Sequence, residues 1–571
     1  MNTKSIKHLI IAGSVCCAAS TALTSCSDIL GTDSELVEYE DDNTLGNPTD
    51  SLYSIMGIVN RMQKIADRTV LLGELRGDLV TTTAAASSDL KRLADFDFNQ
   101  KNVYNQVSDY YAIINNCNYF LAHVDTALER RGRKIFRNEY AAVKAFRAWT
   151  YLELAKAYGN VPLVLTPVMT ELEAQYALNT ERHSLVDICN HFIDDLTPYA
   201  EVEDPDYGSI GGRASELFFI PKKALLGDLC LWAGRYREAA RWYNTYLNDR
   251  NAPVLMSPAN YVCWNSITDF QRSNIRDSYF VTGSDEVLSE IPMETRVFDG
   301  TVSDLQNIFR STSENRYYFQ VEPSAAIRDL SAKQVNCIVY KTNTSTDTVY
   351  APRTGLTDGL LVGDLRLRSN YTLSTYGQPD PYSEYSNSTQ YIYKLSSMFV
   401  TTYRTAMLYL RYAEALNRAG YPQSAFAILK YGLCTQNIRE YVDSVEQAGA
   451  ADIIKFDENY FTRETTIGVH SRGSGNSSCN IYYTLPMPTA ALASRKDTVD
   501  YQIPLVEDLI IDEMALEGSF EGYRFYDLMR VAMRRGEPSY LANAVAQRSG
   551  TVDEDLRSRL MNVENWYLPL K

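Results

Sequence analysis

The most regular hydrophobic pattern in the chain runs from Asn102 to Arg131. Val103, Val107, Tyr110, Ile114, Cys117, Leu121, Val124 and Leu128 recur in three- and four-residue steps, which places them on one stripe of a helix. Arg130, Arg131 and Gly132 read as the charged last turn and stop of that helix. A second helix is expected from Ile135 to Tyr158, rich in small residues at Ala141, Ala142, Ala145 and Ala148 and closed by Gly159. The connection between the two is short, so they should lie antiparallel.

Two later stretches repeat one another. Around Gly234 the chain reads Leu231-Trp232-Ala233-Gly234-Arg235-Tyr236-Arg237-Glu238-Ala239-Ala240, and around Gly420 it reads Asn417-Arg418-Ala419-Gly420-Tyr421-Pro422-Gln423-Ser424-Ala425. In both, Ala precedes the Gly and returns five residues after it, and a large residue follows at nine (Tyr243, Leu429). This is the pattern of a tetratricopeptide helix pair, a glycine turn followed by small-against-large packing. Separated by 186 positions, the copies do not form a tandem array. Between them, residues 251–400 alternate short apolar runs such as Cys337-Ile338-Val339-Tyr340 with Asn, Ser, Thr, Gly and Pro clusters, and residues 457–505 look similar. Helical segments are therefore expected at 51–250, 401–435 and 505–535, with loops and a few short strands elsewhere. The fold class is mainly α.

The N-terminus changes the picture. Lys4 and Lys7 precede an apolar stretch from Leu9 to Leu23, too short to span a membrane, which ends in Leu23-Thr24-Ser25-Cys26. This resembles a bacterial lipobox: residues 1–25 would be removed and Cys26 acylated with palmitate-type chains, several of which give stable anchoring. Residues 26–50 read as a tether, because eight acids and no base follow Cys26, together with Gly31, Gly46 and Pro48. The remaining chain has no run of apolar residues long enough to cross a membrane.

Net charge is −16, with 55 basic and 71 acidic residues, which argues against nucleic acid or an anionic membrane as the ligand. Seven cysteines follow Cys26 without C-x-x-C spacing, and most read as small buried hydrophobes. No H-E-x-x-H, P-loop, G-x-G-x-x-G or G-x-S-x-G pattern occurs, so no metal and no cofactor is expected. Asp41 to Gly46 suggests a calcium loop, but Leu45 and Leu52 stand where oxygen ligands are needed.

The patch Glu513, Glu517, Glu521, Arg524, Asp527 and Arg530 looks the most catalytic. Glu513, Glu517, Glu521 and Arg524 would share one helical face, and paired carboxylates could hydrolyse glycosides. The structural reading is the better one: acid-then-base order suits ion pairs within one helix. Of the tryptophans, Trp149, Trp232, Trp242 and Trp566 lie in helical or motif-bearing segments and read as core, leaving Trp264 alone in a loop-like region.

Six blocks behind the lipobox resemble, in order, the SusD/RagB family of outer-membrane nutrient-binding lipoproteins. They are Gly73-Glu74-Leu75-Arg76-Gly77-Asp78, Tyr110 to Asn118, Ala145 to Val164 with Tyr158-Gly159-Asn160-Val161-Pro162, Asp364-Leu365-Arg366, Leu410 to Asn417, and Glu513 to Arg530. Lys430-Tyr431-Gly432-Leu433 and the C-terminal Tyr567-Leu568-Pro569-Leu570-Lys571 depart from the family pattern. The resemblance implies a single domain over 51–571, in which tetratricopeptide-like helix pairs form a scaffold with an irregular, loop-rich ligand-binding side. It also implies surface exposure on the outer membrane, a SusC-like TonB-dependent channel as partner, and capture of oligosaccharide, or alternatively peptide or another nutrient, without catalysis. In starch-binding members, ligand groups come from the loop after the early helix and from later loops. The candidates here are Asp78 and Arg76 in the segment Arg76 to Phe98, with Arg76 reading equally as an ion-pair partner that holds the loop, and Trp264 or the cluster Tyr317, Tyr318 and Phe319 as a stacking wall; Tyr382 and Tyr385 are reserves.

Overall fold

The computed structural model describes residues 48–250, 263–264, 270–271, 286–295, 300–309, 319–341, 344, 346–351, 363–364, 366–367, 371–375, 388–395, 399–474, 481–490 and 494–570. Ten helices carry the architecture: α1 (Pro48–Glu74), α2 (Val107–His123), α3 (Arg137–Tyr158), α4 (Leu185–Leu196), α5 (Lys222–Trp232), α6 (Tyr236–Asp249), α7 (Thr405–Arg418), α8 (Pro422–Lys430), α9 (Arg495–Gly518) and α10 (Arg524–Arg535). Each packs on the next along this series, and α10 returns to pack on α1. One hydrophobic core runs through the series, from Ile55 on α1 to Leu568 near the C-terminus.

The two repeated stretches form the hairpins α5–α6 and α7–α8, closed by the same turn. Gly234 and Gly420 have φ +77° and +95°, and in each case paired backbone bonds cap the preceding helix (Gly234 N to Leu231 O and Arg235 N to Cys230 O; Gly420 N to Asn417 O and Tyr421 N to Leu416 O). This is the Schellman arrangement, which needs a left-handed residue that glycine supplies without strain. Gly227 on α5 faces Tyr243 on α6 so closely that a Cβ would lie 2.3 Å from the ring. The small-against-large packing is thus present. Although far apart in sequence, the hairpins adjoin in space, because α6 packs directly on α7. The array is continuous in space and interrupted only in sequence.

That interruption is closed at its neck by a buried antiparallel ribbon of β2 (Val287–Pro292) and β4 (Phe399–Arg404), with Ile291 opposite Val400 and Pro292 opposite Phe399. A second ribbon pairs β1 (Val80–Thr82) with β3 (Val321–Pro323), tying the chain after α1 to the central segment. The run around Cys337 is a strand, Asn336–Lys341, paired with Thr346–Ala351.

Several expected boundaries move. Helix α1 starts at Pro48, inside the stretch read as tether. Helix α2 stops at His123, and Glu129–Arg130 and Arg133–Lys134 form a β-hairpin turning at Arg131 and Gly132, both with positive φ (56° and 76°). The basic residues read as a helix stop are that hairpin. The helix expected at 505–535 is two helices, broken at Ser519–Tyr523, where Phe520 and Gly522 have φ +71° and +92°. Helix α9 begins at Arg495 and accommodates Pro504, whose carbonyl accepts from Arg535 Nη2. Helices at Pro538–Ala546 and Glu554–Leu560 have no counterpart in the sequence reading.

Candidate functional site

The block from Gly73 to Asp78 ends α1 and locks into the break between α9 and α10. A Cβ on Gly73 would lie 1.7 Å from the Gly522 carbonyl oxygen, and one on Gly522 2.1 Å from that of Thr69, so both glycines are required for the backbones to meet. Gly522 N donates to Glu74 Oε1 at 2.8 Å. Arg76 donates to the carbonyls of Leu72 and Trp566 and to the Tyr526 hydroxyl, with its guanidinium 4.2 Å from the Phe525 ring centroid. Asp78 accepts two bonds from Arg524, at 2.5 and 2.9 Å. Arg76 and Asp78 are 0% and 5% exposed. They hold two sequence blocks together and present no face to a ligand, which corrects the ligand role expected for Asp78 and leaves Arg76 in its structural reading. What looked like an isolated Gly-Asp pair in a loop has its partner 446 residues away.

Phe319 is likewise buried, with φ +63°, and its backbone carbonyl accepts from Thr83 Oγ1, so it is no stacking wall. Trp264 lies in the short strand Cys263–Trp264, paired with Phe270–Gln271. Tyr317, Tyr318, Tyr382 and Tyr385 lie outside the described residues, as do Cys26 and the segment Asp41 to Gly46. Trp149 and Trp566 are buried, and Trp232 and Trp242 are half-buried against the core. Cys117, Cys189, Cys230 and Cys434 are buried free thiols.

Glu513, Glu517 and Glu521 form an enclosed ionic cluster whose partners come from distant segments, whereas Asp527 pairs with Arg530 within α10 as the acid-then-base order suggested. Glu517 accepts from Arg366 Nη1 (2.9 Å) and Arg404 Nη1 (2.8 Å), and pairs with Arg472 Nη1 (2.8 Å). Glu513 accepts from Arg366 (2.6 Å) and lies 2.8 Å from His470 Nδ1. Glu521, beyond the helix break, accepts from Arg404 Nε and from Lys394, both at 2.6 Å. Asp364 clamps the other edge of Arg366, and Glu286 pairs with Arg404 and Arg472. Burial alone would raise the pKa of Glu517, but Arg472, Arg404 and Arg366 outweigh it and hold the carboxyl well below its ordinary range. For Glu286 burial wins over Arg404, and the pKa rises to about 7. Glu286, Asp364, Arg366 and Lys394 belong to the first loop-rich stretch, His470 and Arg472 to the second. The cluster therefore fastens both to α9.

A small cavity adjoins this frame, and a larger groove lies apart from it. The first, of about 50 Å³, lies among α3, α5, β4 and α10 with Trp149, Lys156, Asp228, Arg411 and Asp527 on its walls. It is water-sized. The other is an open groove of about 900 Å³ between Gly132–Glu139 and Glu203–Tyr207, with Arg133, Lys134 and Arg137 on one side and Glu203 and Asp206 on the other. Its signal in the sequence was the run of basic residues at 130–137, which helical periodicity absorbed.

Among the described residues no helix is long and apolar enough to cross a membrane, and no group of three or more His, Cys, Asp or Glu side chains could hold a metal ion. Residues 367–571 match the SusD family. In structure, a SusD superfamily protein from Bacteroides vulgatus is similar at TM-score 0.56 and 16% identity, over 92% of this chain and 96% of that one. A SusD-like carbohydrate binding protein from the same organism gives 0.54 at 15%, covering 85% and 84%. A SusD superfamily protein from Bacteroides thetaiotaomicron gives 0.52 at 14%, covering 91% and 97%. No curated protein matches in sequence. Residues 367–571 thus match the SusD family directly, and the fold along the chain is the one that SusD superfamily proteins adopt.

Proposed function

We propose that the protein captures oligosaccharide at the outer surface of the cell and passes it, chemically unchanged, to a partner TonB-dependent channel. The family match over residues 367–571 carries this reading. The fold it shares with a SusD-like carbohydrate binding protein supports the ligand class. A binding role without catalysis is supported by the acidic patch: Glu513 and Glu517 are 1% exposed, and the cations around them favour the ionised form, the opposite of what a general acid needs. Attachment to the outer membrane rests on the lipobox at Cys26.

A protein partner is supported by the helix Glu171–Leu178, which is built inside out. Its alanines Ala174 and Ala177 face the body, while Leu172 and Tyr176 stand 76% and 78% exposed, and Met169, just before the helix, is 61% exposed. Such a group of large apolar side chains marks a surface that another protein covers. Glu171 and Glu173 beside it disfavour an anionic membrane.

The test is calorimetric titration with a panel of oligosaccharides, with the recovered ligand analysed for cleavage. Saturable binding with intact ligand is expected; turnover, or no carbohydrate bound, overturns the reading. Cys26→Ala should release the protein from the membrane. Leu172→Glu with Tyr176→Glu should abolish co-purification of a large β-barrel protein from mild detergent extracts.

A further inference from the structure

The hairpin Glu129–Lys134 concentrates charge in a way the rest of the molecule avoids. Arg130, Arg131, Arg133, Lys134 and Arg137 fall within eight positions of a chain whose net charge is −16. Several exposed arginines elsewhere are paired, as Arg463 is with Glu440, Arg495 with Asp443 and Arg557 with Glu554. Among the described residues none of these five side chains has an ion pair or a side-chain hydrogen bond, and Glu129, opposite Lys134 in the ladder, does not pair with it.

The arrangement also works against the hairpin's own stability. Arg130 stands directly opposite Arg133, and like charges across a strand pair repel. Arg131 occupies the first turn position at φ +56°, where a non-glycine residue costs roughly 1–2 kcal/mol. Behind the hairpin lies the groove of about 900 Å³, within the size range of ligand sites, with Arg133, Lys134 and Arg137 facing Glu203 and Asp206.

We propose that this hairpin and groove bind an acidic oligosaccharide, its carboxylate or sulfate groups held by Arg133, Lys134 and Arg137 and its hydroxyls donating to Glu203 and Asp206. The proposal rests on the carbohydrate-capture reading and names the ligand class. Arginine presents a planar fork that matches carboxylate and sulfate oxygens two at a time, and an arriving anion relieves the repulsion between Arg130 and Arg133. The acidic wall sets the ligand apart from a bare polyanion: a sugar brings hydroxyl donors beside its anionic groups, whereas a phospholipid surface is flat and offers the wall only repulsion.

The experiment titrates the full-length protein with tetragalacturonate, a chondroitin sulfate hexasaccharide and neutral xylotetraose, and repeats it with Arg133→Ser/Lys134→Ser/Arg137→Ser. Binding of either acidic probe but not xylotetraose is expected. Affinity should fall steeply with salt and drop at least tenfold in the variant, whose thermal unfolding stays unchanged because the three side chains are exposed and unpaired. Acidic binding that the variant leaves intact places the site elsewhere and overturns the inference. Preference for xylotetraose overturns it while leaving carbohydrate capture standing, and no binding of any sugar removes both. Loss of adsorption to phosphatidylglycerol vesicles in the variant, with no effect on sugar, makes the hairpin a membrane contact and overturns the inference too.

Discussion

In the hairpin α5–α6, Tyr243 fills the space above Gly227 and donates to Asp228 only 15 residues away. In the cluster around Glu517, Arg366 and Arg404 come from 151 and 113 residues away. The first region is packed from neighbouring segments and repeated; the second is charged and assembled from distant ones. Local contacts close short loops at little entropic cost, so the hairpins need only packing to form. The cluster must strip several ions of water, and such arrangements add little net stability over an apolar core of the same shape. What they add is discrimination. A misplaced loop-rich segment would leave an unpaired charge in the interior, so the cluster specifies where each segment must return.

The largest effect expected from breaking this contrast is at the cluster. Arg404→Met should cost about 3–5 kcal/mol in urea unfolding, because Glu286, Glu517 and Glu521 lose a shared cation while staying buried. Replacing those three carboxylates with Gln in the same background should recover part of the loss; no recovery would mean that Arg404 acts by packing. In the hairpin, Gly227→Ala should cost about 1–3 kcal/mol by driving a methyl into the Tyr243 ring, with no dependence on salt or pH.

Glu74 sharpens the comparison from the other side. It is buried like Glu517 but has no ion-pair partner among the described residues. Burial, opposed by backbone donors at Gly522 and Phe520, raises its pKa to about 7. A carboxyl whose folded pKa exceeds its unfolded one keeps its proton longer when folded, so its contribution is fully present below about pH 4.5 and is lost as pH rises towards 7. The depressed Glu513, Glu517 and Glu521 run the opposite way, stabilising above their ordinary value near 4.5 and losing that below it. Glu74→Gln, still able to accept from Gly522 N, should therefore raise stability at pH 8 by about 1–3 kcal/mol and flatten the alkaline limb of the melting-temperature profile. The smallest expected change is Arg131→Gly, which removes strain at a positive φ and should stabilise by about 1 kcal/mol in thermal unfolding.

The same contrast explains what could be read before the structure. The hairpins at Gly234 and Gly420 and the helices through Tyr110 and Trp149 were legible because a helical face repeats within a few residues. The packing of α6 on α7 was not, since nothing in a local period records what lies 150 positions on. Arg76 and Asp78 show the same limit at the site. A charged pair after a helix reads equally as a ligand clamp or a structural tie, and only the position of Arg524 and Tyr526 decides. At 129–134 the error was one of period: Val124 and Leu128 continued the helical stripe past His123, so the basic residues and Gly132 beyond them passed for a helix stop and hid a turn with two positive φ values.

The ribbon of β2 and β4 has a consequence for how the chain is made. Helix α6 ends at Asp249 and its neighbour α7 begins at Thr405, so at about 5–20 residues per second the apolar face of α6 waits roughly ten to thirty seconds for its cover to be synthesised. That face meets solvent or a chaperone before it meets α7. Closure of the ribbon ends the wait, bringing Pro292 beside Phe399 and with them the two halves of the helix array. The ribbon is a latch on the order of assembly: until it shuts, the first half of the protein is a solenoid with an open end.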